Sequence, residues 1–118
     1  RVPMHSRALR HVAKDLAKAF AEIEIRRPAI PVWSHTEVRT LATPEQLRLE
    51  MHMQISSKVR WMEMIRTMAR SGFDDFLEIG PGKMLRQMVW KCLPDARVES
   101  VEALDRMRNH VLERKALA

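Results

Sequence analysis

The chain has 118 residues, of which 46% are hydrophobic and 31% are charged, as is typical of one globular domain. No apolar run approaches the roughly 20 residues of a membrane-spanning helix, and no secretory leader is visible, so neither a membrane protein nor a secreted protein is expected. The 21 basic and 15 acidic residues give a net charge of +6, which favours acidic partners without choosing among them.

The cysteine content and the first residue carry two further expectations. Cys92 is the one cysteine, which excludes an internal disulfide and fits a reducing compartment, so we expect a cytoplasmic protein. The sequence begins at Arg1 rather than at methionine. We therefore expect a further part upstream of it.

Hydrophobic periodicity predicts a helix over residues 6–23, with Ser6 as its N-cap, followed by a short buried strand over residues 30–34. Thr43, Pro44 and Gln46 then form the pattern of a capping box with proline at the first helical position. A second helix is expected to begin there.

The next helix is expected to start at the cap Ser57 and to end at Gly72. The pattern that follows predicts a strand over 76–79, a tight turn at 80–82, a helix over 84–92, a strand over 98–101 and a final helix over 104–112. Strands that alternate with helices predict an α/β fold with a parallel sheet, and three short strands indicate that further strands lie elsewhere.

Few residues are candidates for chemistry. His5 precedes a helix, where the helix dipole favours the neutral imidazole that a general base needs, but this position alone is common. The five histidines show no H-E-x-x-H motif, so no metal site is expected, and no serine lies in a G-x-S-x-G elbow. The turn at 80–82 lacks both phosphate-loop patterns, and the basic residues are interleaved with acidic ones, so nucleic acid binding is not expected.

Four segments in register resemble one enzyme family. These are Val2-Pro3-Met4-His5-Ser6, Ile30-Pro31-Val32 with Ser34, Gln54-Ile55 with Val59-Arg60-Trp61, and the run from Phe76 to Leu85 that contains Glu78-Ile79-Gly80-Pro81-Gly82-Lys83. In order and spacing they resemble the malonyl-CoA:acyl-carrier-protein transacylases of fatty acid synthesis and the acyltransferase domains of polyketide synthases.

The resemblance implies that residues 1–118 are the C-terminal portion of an α/β-hydrolase-like acyltransferase core, with the nucleophilic serine in an N-terminal part that this chain lacks. It implies that His5 is the catalytic histidine and that the backbone carbonyl of Gln54 orients its ring. The implied reaction is a ping-pong transfer of a malonyl group from malonyl-CoA to the phosphopantetheine thiol of an acyl carrier protein, with no tightly bound cofactor.

Some positions depart from the family pattern. His35 stands where the family commonly has asparagine, and Met53 stands where it has arginine before Gln54. The residues Pro3 and Met4 before His5 also differ from those of malonyl-selective members. An acyl hydrolase of the same fold, or a fragment that docks a carrier protein without chemistry, therefore stays an alternative.

Overall fold

The computed structural model describes residues 3–101 of the chain. In order, these residues form a 3-10 turn (Arg7–Leu9), α1 (Arg10–Ala21), β1 (Val32–Trp33), β2 (Thr40–Leu41), α2 (Pro44–Met53), α3 (Trp61–Arg70), β3 (Asp75–Ile79), α4 (Met84–Cys92) and β4 (Arg97–Val101). They fall into two compact units that divide between Met64 and Ile65. The helix predicted over 104–112 lies outside the described residues.

In the first unit, α1 packs against α2 and buries Leu9 and Ala13. The predicted first helix is confirmed, but its predicted cap is wrong. The hydroxyl of Ser6 donates to the backbone carbonyl of Pro3 (2.6 Å) and makes no capping bond to the first turn. The chain enters this helix through a 3-10 turn, in which the N–H of Leu9 donates to the carbonyl of Ser6 (3.1 Å).

The strand predicted over 30–34 is shorter and more exposed than expected. Only Val32 and Trp33 are extended, and they pair antiparallel with Thr40 and Leu41 in a separate two-stranded sheet. Pro31 has no N–H to donate, which excludes it from a ladder, and Ile30 is 77% exposed. The expectation that this strand is buried in the parallel sheet is therefore wrong.

The start of α2 is as predicted. Thr43 accepts a hydrogen bond from the N–H of Gln46 (3.3 Å), and the side chain of Gln46 accepts one from the N–H of Thr43 (3.3 Å), so both halves of a capping box are present. Pro44 occupies the first turn, where its missing N–H is not needed. Local sequence thus fixes the position of α2, which carries Glu50 and ends at Gln54, two residues of the site described below.

Helix α3 begins later than predicted and ends as predicted. Its first residue is Trp61, so Ser57 is not its cap. At the other end Gly72 has φ +94°, and the N–H groups of Gly72 and Phe73 donate to the carbonyls of Ala69 and Met68 (3.0 and 3.1 Å). This is a Schellman motif, in which glycine adopts the left-handed conformation without a steric penalty.

The second unit contains the parallel pair of strands. β3 and β4 pair in register from Asp75 opposite Arg97 to Ile79 opposite Val101, and α4 connects them. Its buried apolar residues in the described range are Ile65 of α3, Val89 of α4, and Val98 and Val101 of β4. This β-α-β arrangement confirms the predicted α/β fold class and both predicted strands.

Candidate active site

His5 adopts an unusual backbone conformation and bonds to a distant residue. Its φ is +56°, in the left-handed region that few residues other than glycine occupy. The side chain is exposed, and its Nδ1 lies 2.8 Å from the backbone oxygen of Gln54. A carbonyl oxygen can only accept, so Nδ1 carries the hydrogen and Nε2 of the neutral ring is left as the acceptor.

Gln54 is the C-cap of α2, and its own N–H donates to the carbonyl of Glu50 (2.9 Å). The last carbonyls of a helix have no partner within the helix, and they lie at the negative end of its dipole. The carbonyl that holds His5 therefore has a lone pair free to accept from Nδ1 and lies at the negative end of the α2 dipole. The structure thus brings together the two residues that the resemblance pairs.

A second histidine lies beside the first. The ring centroids of His5 and His35 are 5.7 Å apart and the rings are nearly perpendicular. Nε2 of His35 is 3.8 Å from Oε1 of Glu50, whose other oxygen accepts the hydroxyls of Ser34 and Thr36. Sequence reasoning noted His35 as a departure from the family but missed Glu50, although its spacing of four residues from Gln54 places both on one face of α2.

A basic cleft opens beside His5. Its volume is about 440 Å³, and its cationic lining residues are Arg7, Arg10 and Lys58, all exposed. Its other lining residues are His5, Met53 and three serines, so no acidic side chain from residues 3–101 lines it. We expect this concentration of positive charge to attract anions to the ring of His5.

The turn at 80–82 is structural, as its sequence suggested. The carboxylate of Glu78 accepts hydrogen bonds from the N–H groups of Leu85 (3.0 Å) and Arg86 (3.2 Å) and from the hydroxyl of Ser100 (2.8 Å). These amides at the start of α4 are therefore already bound to an anion of the protein itself.

The same contacts set the acidity of Glu78. Desolvation raises its pKa, but the bonds from Ser100, Leu85 and Arg86, with the positive charge of Arg86, lower it by more, so the net pKa is below the ordinary value.

Two further kinds of site were searched for in residues 3–101. No group of three or more histidine, cysteine, aspartate or glutamate side chains there could hold a metal ion. None of the helices in this range is long and apolar enough to cross a membrane.

Comparison with known proteins gives a consistent result. A malonyl CoA-acyl carrier protein transacylase of Haemophilus influenzae is 31% identical over 100 residues, which are 85% of this chain and 32% of that protein. The chain is related to the malonyl-CoA:acyl carrier protein transacylases. This confirms the resemblance drawn from the sequence. Among models of protein families, none matches.

Solved transacylases share the fold. An acyl carrier protein S-malonyltransferase of Vibrio cholerae has a TM-score of 0.85 and 29% identity, covering 92% of this chain and 35% of its own. A malonyl transacylase in complex with the acyl carrier protein of a type II polyketide synthase has a TM-score of 0.83 and 27% identity, covering 88% and 34%. The chain thus spans about a third of the length of the transacylases that it matches.

Proposed function

We propose that the protein carrying this chain transfers a malonyl group from malonyl-CoA to an acyl carrier protein, with His5 as its general base and acid. The observation that carries the proposal is the hydrogen bond from Nδ1 of His5 to the carbonyl of Gln54, which leaves Nε2 free to take a proton. The relatedness to transacylases supplies the reaction class. Residues 1–118 are, on this proposal, the C-terminal part of the acyltransferase core.

In the first half-reaction, Nε2 of His5 takes the proton of a serine hydroxyl that the N-terminal part supplies. The serine oxygen bonds to the thioester carbon of malonyl-CoA, and the bond from that carbon to sulfur breaks. The imidazolium then returns its proton to the departing thiolate of coenzyme A. A malonyl-serine ester remains, so one transfer is divided into two easier steps.

In the second half-reaction, Nε2 takes the proton of the phosphopantetheine thiol of the carrier protein. The thiolate bonds to the ester carbon, the bond from that carbon to the serine oxygen breaks, and the proton returns to the serine oxygen, which leaves the malonyl group as a thioester on the carrier. In each half the ring becomes positively charged, and the carbonyl of Gln54 at the negative end of α2 stabilises that charge. The carbonyl accepts from Nδ1 and orients the ring, as the carboxylate does in a Ser-His-Asp triad.

The positive charge of the basic cleft is suited to binding both substrates. Coenzyme A and a carrier-bound phosphopantetheine both present phosphate, and Arg7, Arg10 and Lys58 provide three cations beside His5. No tightly bound cofactor is needed for the proposed steps. We expect the reaction to take place in the cytoplasm, in fatty acid or polyketide synthesis.

Intact-mass spectrometry of the protein before and after addition of malonyl-CoA tests the proposal. We expect a malonyl adduct on a serine, which a holo acyl carrier protein then removes and retains. An adduct that water removes at the same rate with or without the carrier would indicate the hydrolase instead. Absence of any adduct, with the carrier protein still bound, would indicate a docking fragment and contradict the proposal.

A further inference from the structure

Among residues 3–101, the ring of His5 has a hydrogen bond to Gln54 and a ring contact with His35. The bond from Nδ1 to Gln54 fixes one atom of the ring but leaves the ring able to rotate about the line of that bond. The edge-to-face contact with His35, at 88° between the ring planes, is a second constraint. The two constraints together define where Nε2 points. Aromatic pairs of this geometry also contribute stabilising free energy beyond that of their buried area.

His35 is itself held from several sides. It lies in the loop 34–39 between β1 and β2, and its backbone carbonyl accepts the N–H of Arg60 (3.0 Å). Its side chain is 20% exposed and faces Glu50, which is 14% exposed, at 3.8 Å. Nδ1 of His35 and Oε1 of Glu50 have no hydrogen-bond partner among the described residues. The 3.8 Å between Nε2 of His35 and Oε1 of Glu50 exceeds a hydrogen-bond distance, so the ring faces the carboxylate across a close polar contact.

The carboxylate of Glu50 is fixed by its other oxygen. Oε2 accepts the hydroxyls of Ser34 (2.7 Å) and Thr36 (2.5 Å), and Ser34 is fully buried. The hydroxyl oxygen of Ser34 in turn accepts the N–H groups of Thr36 and Glu37 (3.2 and 2.8 Å), which ties Glu50 to the loop that carries His35. A half-buried carboxylate with two hydroxyl donors is a rigid support.

We infer that His35, held by Glu50, is a positioning residue for His5. One turn of α2 then supports both rings, since Gln54 binds His5 through its backbone and Glu50 faces His35 through its side chain. The expected effect on kcat rests on the proposed function, whereas the expected effect on the orientation of the His5 ring rests on geometry alone. The kinetic test and the structural test can therefore be interpreted separately.

The experiment compares His35→Ala, His35→Phe and the control His52→Ala in the full protein. His52 lies on the same helix, with Nδ1 3.0 Å from the carbonyl of Arg48, and makes no described contact with His5. With malonyl-CoA and holo carrier protein as substrates, we expect His35→Ala to lower kcat about tenfold and KM to change less than about twofold, because orientation is lost and binding is not. His35→Phe keeps a ring, so its kcat should stay within about threefold of wild type.

The second readout is the Cε1–H signal of His5 in a nuclear magnetic resonance spectrum, which needs no activity. We expect one signal in the wild type, His35→Phe and His52→Ala, and a doubled signal in His35→Ala; a single signal there, even one shifted by loss of the His35 ring current, would count against the inference. If the wild type transfers no malonyl group, the proposed function fails and this signal alone decides the inference. An unchanged His5 signal in His35→Ala, or equal losses of kcat in His35→Ala and His35→Phe, would overturn it.

Discussion

The imidazole of His5 and the backbone carbonyl of Gln54 are 49 residues apart in the chain and 2.8 Å apart in space. The carbonyl lies at the C-terminus of α2, where it has no partner in the helix. This one bond selects the tautomer of His5, with the hydrogen on Nδ1 and Nε2 left as the acceptor. The orientation of the His5 ring therefore depends on the residue at which α2 ends.

In the proposed mechanism Gln54 orients His5 through its backbone carbonyl, so loss of its side chain should change the rate little. Gln54→Ala loses only the bond from Nε2 to the carbonyl of Met51 (3.2 Å) and should lower kcat at most about threefold. Gln54→Gly loosens the backbone at the helix end and should lower kcat further. Steady-state malonyl transfer measures both, and a large loss of kcat in Gln54→Ala that equals the loss in Gln54→Gly would place the role in the side chain.

Helix α2 should depend on its capping box. Thr43→Ala removes the hydroxyl that accepts the N–H of Gln46, which should cost about 1 kcal/mol in the free energy of unfolding. Thr43→Ser keeps a hydroxyl and is the matched control. Urea unfolding followed by circular dichroism measures both, and equal stabilities of the two variants would show that the cap contributes nothing.

The basic cleft should govern the affinity for anionic substrates. Arg10→Glu reverses one of its three cations and should raise KM for the carrier protein by about tenfold at low salt, with a smaller effect at 0.5 M salt, because screening weakens the interaction. Lys14→Glu makes the same charge change on α1 at a residue that does not line the cleft. If both variants raise KM equally, net charge rather than the cleft governs the affinity.

The stability of the second unit should depend on the ionised form of Glu78. Its pKa in the folded protein is lowered, because the bonds from Ser100, Leu85 and Arg86 outweigh desolvation, which acts in the opposite direction. The stabilisation is therefore complete above the unfolded pKa of about 4.3 and is lost as the pH falls through the folded pKa.

Glu78→Gln tests this dependence by removing the charge at nearly constant volume. We expect its urea midpoint to be below that of the wild type at pH 7 and the difference to shrink at pH 3. Asp95→Asn, at an exposed aspartate in the loop before β4, controls for the loss of one negative charge. A difference between Glu78→Gln and wild type that is the same at both pH values would contradict the role of the ionised carboxylate.

Short sequence patterns predicted the helices and strands correctly where one pattern was strong. They failed where other local interactions competed with the predicted one. The capping box at Thr43, the glycine that ends α3 and the β3-α4-β4 unit all follow from short stretches of sequence. The caps assigned to Ser6 and Ser57 were wrong, because the hydroxyl of Ser6 donates to Pro3 and α3 starts at Trp61. The hairpin of β1 and β2 has two residues in each strand, too few to leave a periodic pattern.

The site was predicted only through resemblance. Nothing local connects His5 to Gln54, because the bond between them closes a loop of 49 residues. Glu50 and His35 could not be paired from sequence for the same reason, since the packing of a loop against α2 brings them together. The candidate site thus depends on contacts between residues that are distant in the chain, whereas the helices and strands are determined by local sequence.

The most direct test of the central claim compares wild type with His5→Ala in malonyl transfer to holo carrier protein. A general base contributes roughly 10² to 10⁴ to a rate, so we expect His5→Ala to lower kcat by at least about a hundredfold. His11→Ala removes an exposed histidine from α1 and is expected to keep the wild-type rate. Transfer by His5→Ala at a rate close to that of His11→Ala would contradict the assignment of His5 as the catalytic base.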